Sequence, residues 1–192
     1  MAGGAVDGDE HHSAESSGEH RARVHGAQAH REPGQLSQAE CATHAAGEKE
    51  AGNVAFQAQD WPAAIARYEE GLRYAVHHRD RRGGPLSEEC QRIAVVLLSN
   101  CAAARLKQGN PDRARDACTQ ALELDPQSIK AYFRRAQAHL ALACHDLAAA
   151  DAQRAVDLDP EGEAARQLHA RALAEGRAAL REQRALCAKM FG

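Results

Sequence analysis

Residues 121–126 read ALELDP and residues 155–160 read AVDLDP, so one short pattern occurs twice at an offset of 34 residues. Small side chains allow two helices to cross closely, and a proline just past a helix prevents the helix from continuing. Three alanines of the first copy have counterparts at the same offset in the second: Ala102, Ala114 and Ala121 correspond to Ala136, Ala148 and Ala155. The stretch therefore predicts a repeating pair of helices, with a proline closing each unit.

A period of 34 residues is typical of the tetratricopeptide repeat, a helix–turn–helix unit that stacks into an α-solenoid. An earlier copy precedes these two, because Gly52, Ala64, Tyr68 and Gly71 follow one another at the spacings found after Ala102. We therefore predict an all-α fold, an α-solenoid of three helix pairs, rather than an alanine-rich bundle without repeats. The predicted repeats lie at about residues 45–78, 95–126 and 129–160, within a domain of residues 38–160.

The segment before the repeats has a different composition. Residues 1–37 carry glycine, serine, histidine and acid with few large apolar side chains, so they are predicted to form a disordered tail that includes Leu36. Ser37, with Glu40 three residues later, predicts a capping box at the start of the first helix. Dense histidines can bind a transition metal weakly, but this spacing fits no fixed ligand set, so no metal site is predicted. The histidines are His11, His12, His20, His25 and His30.

The first two copies are farther apart than the period requires. Gly52 and Ala102 are 50 residues apart, which exceeds the period by 16. The second helix is predicted to end near His78, so the extra residues fall around residues 79–86, which read RDRRGGPL. The extra residues are predicted to lengthen the neighbouring helices and to form a basic, mobile loop.

Residues 161–192 predict one long helix. Repeat arrays need a terminal helix with a polar outer face to cover the last exposed edge, so a C-terminal capping helix is the favoured interpretation. A basic amphipathic helix can also be a calmodulin target, which leaves calmodulin as a possible partner of this segment. The basic residues of the helix are Arg166, Arg171, Arg177, Arg181, Arg184 and Lys189.

Composition excludes several classes of function. The net charge of −3 gives no support to a nucleic-acid partner, and the apolar run at residues 93–98 is too short to span a membrane. Six scattered cysteines without a C-x-x-C pair predict a reducing compartment and buried thiols, and with the acidic N-terminal start they favour a cytoplasmic protein. No Ser/His/Asp or Cys/His set and no nucleotide-binding loop can be assembled, so neither an enzyme nor a cofactor is predicted.

The first helix of each pair lines the concave side of such an array, so its polar residues indicate what the groove binds. Lys49 and Asn53 are four residues apart and share a helix face, as do Lys130 and Arg134 two repeats later. Asn100 comes from the helix between them, and no acidic residue is obviously placed to neutralise the cations. Such a set suits a carboxylate ligand.

These five residues resemble the carboxylate clamp of chaperone-binding tetratricopeptide domains. The resemblance implies a co-chaperone or adaptor that binds the C-terminal Glu-Glu-Val-Asp tail of the cytosolic ninety- or seventy-kilodalton heat-shock proteins. It also implies roles for the residues. Lys49, Asn53 and Asn100 would hold the terminal carboxylate, Lys130 and Arg134 the aspartate side chain and nearby backbone, and Phe56 and Ala103 would shape an apolar contact. The alternative is a scaffold whose groove binds another acidic protein segment.

Two further stretches narrow the resemblance. Residues 53–61, NVAFQAQDW, and residues 188–191, AKMF, are similar to the two ends of the tetratricopeptide domain of large immunophilins, most of all the forty-kilodalton cyclophilin type. Those proteins carry a peptidyl-prolyl isomerase domain ahead of the repeats, which residues 1–37 cannot form. The resemblance therefore implies a binding module without isomerase activity.

Overall fold

The computed structural model describes residues 31–82 and 85–191, apart from the side chains of residues 78–82 and 191. Within these ranges, a short 3-10 turn at Pro33–Gln35 is followed by seven α-helices. They are α1 (Gln38–Gln57), α2 (Trp61–Arg82), α3 (Glu88–Lys107), α4 (Pro111–Leu124), α5 (Ile129–Ala141), α6 (His145–Leu158) and α7 (Glu163–Phe191). Each helix packs against the next, so the predicted all-α solenoid of three helix pairs and a final helix is confirmed.

The helices begin where the sequence supplies caps. Ser37 and Glu40 form the predicted capping box at α1: the Ser37 hydroxyl accepts from the Glu40 N–H at 3.3 Å, and the Glu40 carboxylate accepts from the Ser37 N–H at 2.9 Å. At α2 the Asp60 carboxylate accepts from the Ala63 N–H at 3.0 Å, and at α3 the Ser87 hydroxyl accepts from the Cys90 N–H at 3.2 Å. A cap of this kind contributes about 1 kcal/mol to helix stability.

Small residues fill the crossings between helices. Gly52 faces Tyr68 so closely that a Cβ at Gly52 would lie 2.4 Å from Cε1 of the ring. The alanines that set the repeat period are all fully buried: Ala102, Ala114, Ala121, Ala136, Ala148 and Ala155. Because these positions carry at most a methyl group, the helices approach one another without leaving large voids.

The tail was predicted to extend too far. Residues 1–30, which hold the five histidines and most of the predicted tail, lie outside the described residues. Pro33 and Leu36, however, are buried, and Leu36 joins the core formed by α1 and α2. The turn at Pro33–Gln35 explains this, because the Leu36 N–H donates to the Pro33 carbonyl at 3.2 Å and the Cys41 thiol to the same carbonyl at 3.7 Å.

The insertion lengthens α2, as predicted, but the loop after α2 was predicted to begin too early. Helix α2 continues through residues 79–82 to Arg82, four residues past the predicted end near His78. Nothing in residues 79–82 breaks a helix, whereas residues 83–85 read GGP, which does. The end of α2 is therefore determined by the residues that break the helix and not by the length of the insertion.

A polar cluster joins α5 to α6. The Arg135 guanidinium donates two hydrogen bonds to the Asp151 carboxylate, both at 2.7 Å, and a longer one of 3.4 Å to the Thr119 hydroxyl. Nε2 of His139 lies 3.6 Å from the same carboxylate, while its Nδ1 is buried with no hydrogen-bond partner among the described residues. Asp151 and His139 are both buried, so the cluster is part of the interface between the two helices.

Helix α7 covers the last pair with its first half only. Leu168 and Ala172 are buried against α5 and α6, as a capping helix requires. Residues 181–190 are all exposed, including Leu186 at 60% and Met190 at 66%. None of the helices in the described ranges is long and apolar enough to cross a membrane.

The cysteines behave mainly as small core residues. None of the six is in a disulfide, and four are buried: Cys41, Cys90, Cys101 and Cys118. Burial raises the pKa of Cys101 to about 11 and that of Cys118 to about 12, so both thiols stay protonated at neutral pH.

Candidate functional site

The candidate site lies where the first helices of the three pairs meet. Helix α3 contacts both α1 and α5, so one face of each is brought to a common groove. Asn53 comes from α1, Asn100 from α3 and Arg134 from α5. Asn100 and Arg134 are separated by the repeat period of 34 residues, so they occupy the same position in successive units.

A chain of hydrogen bonds connects these side chains. The Tyr68 hydroxyl donates to Oδ1 of Asn53 at 2.9 Å, and Nδ2 of Asn100 donates to the same oxygen at 3.2 Å. Nη1 of Arg134 donates to Oδ1 of Asn100 at 3.3 Å. The amide oxygens of both asparagines therefore accept hydrogen bonds inside the protein, which fixes the orientation of the two amides.

The site has more donors than acceptors. A guanidinium carries five N–H donors and an asparagine amide two, but only part of this capacity is used by the bonds above. Among the described residues no carboxylate forms an ion pair with Arg134, and burial lowers the pKa of Arg134 from its usual value without discharging it at neutral pH. A partly buried cation with spare donors favours a ligand that supplies acceptors and negative charge.

A small pocket adjoins these donors. Its volume is about 90 Å³, and its lining combines the polar residues with three apolar or aromatic ones: Asn53, Phe56, Tyr68, Asn100, Ala103 and Arg134. Phe56 packs edge-on against Trp61, with ring centroids 5.0 Å apart, which fixes the aromatic wall. Five of the seven residues predicted from the sequence thus line one pocket: Asn53, Phe56, Asn100, Ala103 and Arg134.

The two predicted lysines do not line this pocket. Lys130 is exposed on α5, one turn before Arg134. Nζ of Lys49 lies 2.7 Å from Oε1 of Glu50, and Oε2 of Glu50 accepts from Nδ2 of Asn53 at 3.2 Å. The expectation that no acidic residue neutralises the cations was therefore wrong for Lys49, because its neighbour folds back between Lys49 and Asn53.

Two residues of the site were not identified from the sequence. Tyr68 was recognised from the sequence only as a repeat position, but its hydroxyl orients Asn53, and burial raises its pKa so that it remains a donor. Glu50 lies 50 residues before Asn100, the offset that also separates Gly52 from Ala102, but an acid at this repeat position was not predicted to be part of the site. The hydrogen bonds from Lys49 and Asn53 lower its pKa, which keeps it ionised.

Comparison with known families identifies the repeats. Two tetratricopeptide repeat models match consecutive segments, residues 95–128 and residues 129–161. The C-terminal TPR-containing domain of a Plasmodium falciparum FK506-binding protein has the same fold, with a TM-score of 0.68 and 21% identity over 78% of this chain and 99% of that one. Both comparisons agree with the helix pairs described above.

Relatives with higher identity include an isomerase and a domain that was solved with a chaperone peptide. The peptidyl-prolyl cis-trans isomerase FKBP4 of Rattus norvegicus is 33% identical over 146 residues, which is 74% of this chain but only 31% of that protein. The first TPR domain of Spaghetti (RPAP3), solved bound to the HSP90 peptide SRMEEVD, is 25% identical with a TM-score of 0.58, over 69% of this chain and 93% of that one. The chain thus spans about a third of the length of FKBP4, and the matched part does not include its isomerase domain.

These relatives correct two narrower expectations. FKBP4 and the Plasmodium protein are FK506-binding proteins, so the likeness to the forty-kilodalton cyclophilin is not supported. A calmodulin partner for the last helix also gains no support from them. What the repeats, the fold and the relatives establish together is that this chain carries a tetratricopeptide repeat domain, a protein-interaction module of the kind found in FKBP4-type immunophilins.

Proposed function

We propose that the chain is a non-enzymatic co-chaperone or adaptor that binds the C-terminal Glu-Glu-Val-Asp tail of a ninety- or seventy-kilodalton heat-shock protein. The observation that carries this proposal is the surplus of donors around Asn53, Asn100 and Arg134, which three separate helices hold beside one pocket. A chain end with two carboxylates supplies the acceptors that this arrangement lacks. Because such tails belong to cytosolic chaperones, the proposal includes a cytoplasmic location.

Each residue has a stated role in the proposal. Asn53 and Asn100 donate from their amide nitrogens to the terminal main-chain carboxylate, and Lys49 joins them. Arg134 binds the carboxylate of the last side chain, and Lys130, exposed one turn away, binds it from the solvent side. The pocket wall formed by Phe56 and Ala103 contacts the apolar residue that precedes the final aspartate.

The expected affinity is modest. A hydrogen bond to a charged group contributes about 1.5–3 kcal/mol, and ordering a flexible peptide offsets part of the total. Lys130 is exposed and Arg134 is only partly buried, so water weakens their interactions with the peptide further. We therefore expect a dissociation constant on the order of micromolar.

Calorimetry with the peptide SRMEEVD tests the proposal, since a related domain was solved with it. Arg134→Ala should weaken binding at least about tenfold, because it removes the buried cation. Lys49→Ala should weaken it less. Arg166→Ala, an exposed arginine on α7, is the control for net charge and should leave affinity unchanged. Circular dichroism must show the same helicity in every variant; equal affinities for the wild type and Arg134→Ala would contradict the proposal.

The alternative is a scaffold that binds an internal acidic segment of some other protein. The surplus of donors supports this as well, but the two candidates differ in what they require of the ligand. A peptide with an amidated C-terminus keeps its acidic side chains and loses the terminal charge. Binding by the proposed site should fall sharply with this peptide, whereas a binder of acidic segments should hardly distinguish the two.

A further inference from the structure

Glu50 occupies part of the site that the proposed ligand needs. Its carboxylate contacts Nζ of Lys49 at 2.7 Å and Nδ2 of Asn53 at 3.2 Å, one oxygen to each partner. A peptide carboxylate would make the same kind of contacts with the same two groups. Glu50 therefore presents to the site the functional group that the ligand carries.

The positive charge on this side suffices for only one carboxylate. Lys49 carries a single positive charge, and one N–H of Asn53 already points to Glu50. A second carboxylate beside the first would also be repelled by it. The side chain of Glu50 is 66% exposed, so water can solvate it as soon as it leaves.

The other side of the site has no such competitor. Within the described part of the chain, Arg134 pairs with no acid and donates only to the neutral Asn100. The site is thus open at Arg134 and Asn100 and closed by an internal carboxylate at Lys49 and Asn53. Both halves belong to one groove: the closed half lies on α1, and the open half lies on α3 and α5.

We infer that Glu50 is a built-in competitor, which the terminal carboxylate of an acidic peptide must displace from Lys49 and Asn53 before the site is fully engaged. The inference rests on the proposed function. The peptide binds first at Arg134 and Asn100, and it reaches the second half of the site as Glu50 turns to solvent. Competition by Glu50 lowers the affinity of the site for every carboxylate ligand, so it favours ligands that also bind Arg134.

Calorimetry with SRMEEVD separates this inference from the proposed function. Glu50→Gln retains the shape of the side chain but not its charge, and it should tighten binding about threefold, the size expected for release of an exposed ion pair. Glu48→Gln is the matched control, since Glu48 lies on the same helix and its carboxylate pairs with Arg67, away from the site. It removes the same charge and should change affinity much less. In a Lys49→Ala background the gain from Glu50→Gln should largely disappear.

A second measurement follows Glu50 directly. The carboxyl carbon of Glu50, titrated by NMR, should show a lowered pKa in the free protein that rises when the peptide is bound, because the two donors have been transferred to the ligand. If the wild type binds through Arg134 and the free C-terminus, but Glu50→Gln behaves like Glu48→Gln, the inference fails and the proposed function stands. If only Glu50→Gln binds, the inference is supported in its strongest form. If neither binds, both are wrong.

Discussion

At the residue scale, one glycine helps to orient the amide of Asn53 in the site. Gly52 leaves room for the ring of Tyr68, which is 2% exposed and whose hydroxyl holds Oδ1 of Asn53. The amide of Asn53 is fixed in turn with its nitrogen toward the groove. A residue without a side chain thus orients a donor on the next residue of the same helix.

Gly52→Ala should separate this role from ordinary helix propensity. The added methyl group would clash with Tyr68, so we expect a loss of about 1–3 kcal/mol in the free energy of unfolding, although alanine favours helix. Gly47→Ala, on the same helix with nothing within 4 Å, should instead stabilise the protein by up to about 1 kcal/mol. Urea unfolding measures both, and a stabilising Gly52→Ala would contradict the packing described here.

The residues of the site differ in how far the sequence predicts them. Asn100 and Arg134 could be predicted because they are one repeat period apart, and Asn53 because it lies four residues after Lys49 and so shares its helix face. The contact between Glu50 and Lys49 could not be predicted, because side chains one residue apart on a helix usually point away from each other. Only the conformation of two long side chains brings Glu50 and Lys49 together.

At the element scale, the interface between α5 and α6 contains a titratable group. His139 lies beside Asp151, Arg135 and, farther out, Arg115, and its pKa is lowered chiefly by burial despite the nearby carboxylate. Its Nδ1 has no partner among the described residues, so a proton there would have no acceptor. The folded protein therefore favours neutral His139.

This arrangement predicts that the α5–α6 interface weakens in mild acid. Below about pH 6.5 the unfolded chain binds a proton at His139 more readily than the folded chain, so the free energy of unfolding should fall as the pH decreases. His139→Gln should make that slope shallower, whereas His169→Gln, on α7 outside the cluster, serves as control. Urea unfolding between pH 7.5 and pH 5 measures it. An unchanged slope in His139→Gln would show that His139 is not the group responsible.

The ends of helices were harder to predict than their pairing. The cap at Ser37 was recognisable because Ser37 and Glu40 have the spacing of a capping box, whose hydrogen bond is local. The burial of Leu36 could not be predicted, because it depends on a turn that brings Leu36 against α1 and α2. Composition alone does not show such a contact. The end of α2 at Arg82 was missed because the repeat period says nothing about the length of an insertion.

At the scale of the whole molecule, stability in a repeat array comes from contacts between neighbouring helices, so the last pair depends on what covers it. Leu168 of α7 is 7% exposed and packs on α5 and α6, while Leu186 of the same helix is 60% exposed. The helix thus combines a half that covers the last pair with a last stretch, residues 181–190, that is exposed throughout.

Two alanine substitutions should distinguish these halves. Leu168→Ala should lower the free energy of unfolding by about 2–4 kcal/mol, because it leaves a cavity beneath the cover. Leu186→Ala should change it by less than about 0.5 kcal/mol. Thermal unfolding followed by circular dichroism compares the two, and similar losses would mean that the second half of α7 contributes to the folded array after all.

Alkylation of the cysteine thiols can report which parts of the array have unfolded, because some thiols are exposed and others are buried. Cys144 and Cys187 are exposed, whereas the other four lie inside the first two helix pairs and at their boundary with the third. Under brief alkylation the intact array should gain two adducts, and any further adducts would count molecules whose first or second pair had opened. Mass spectrometry of the labelled chain can therefore follow the local unfolding of the first two pairs without an added probe.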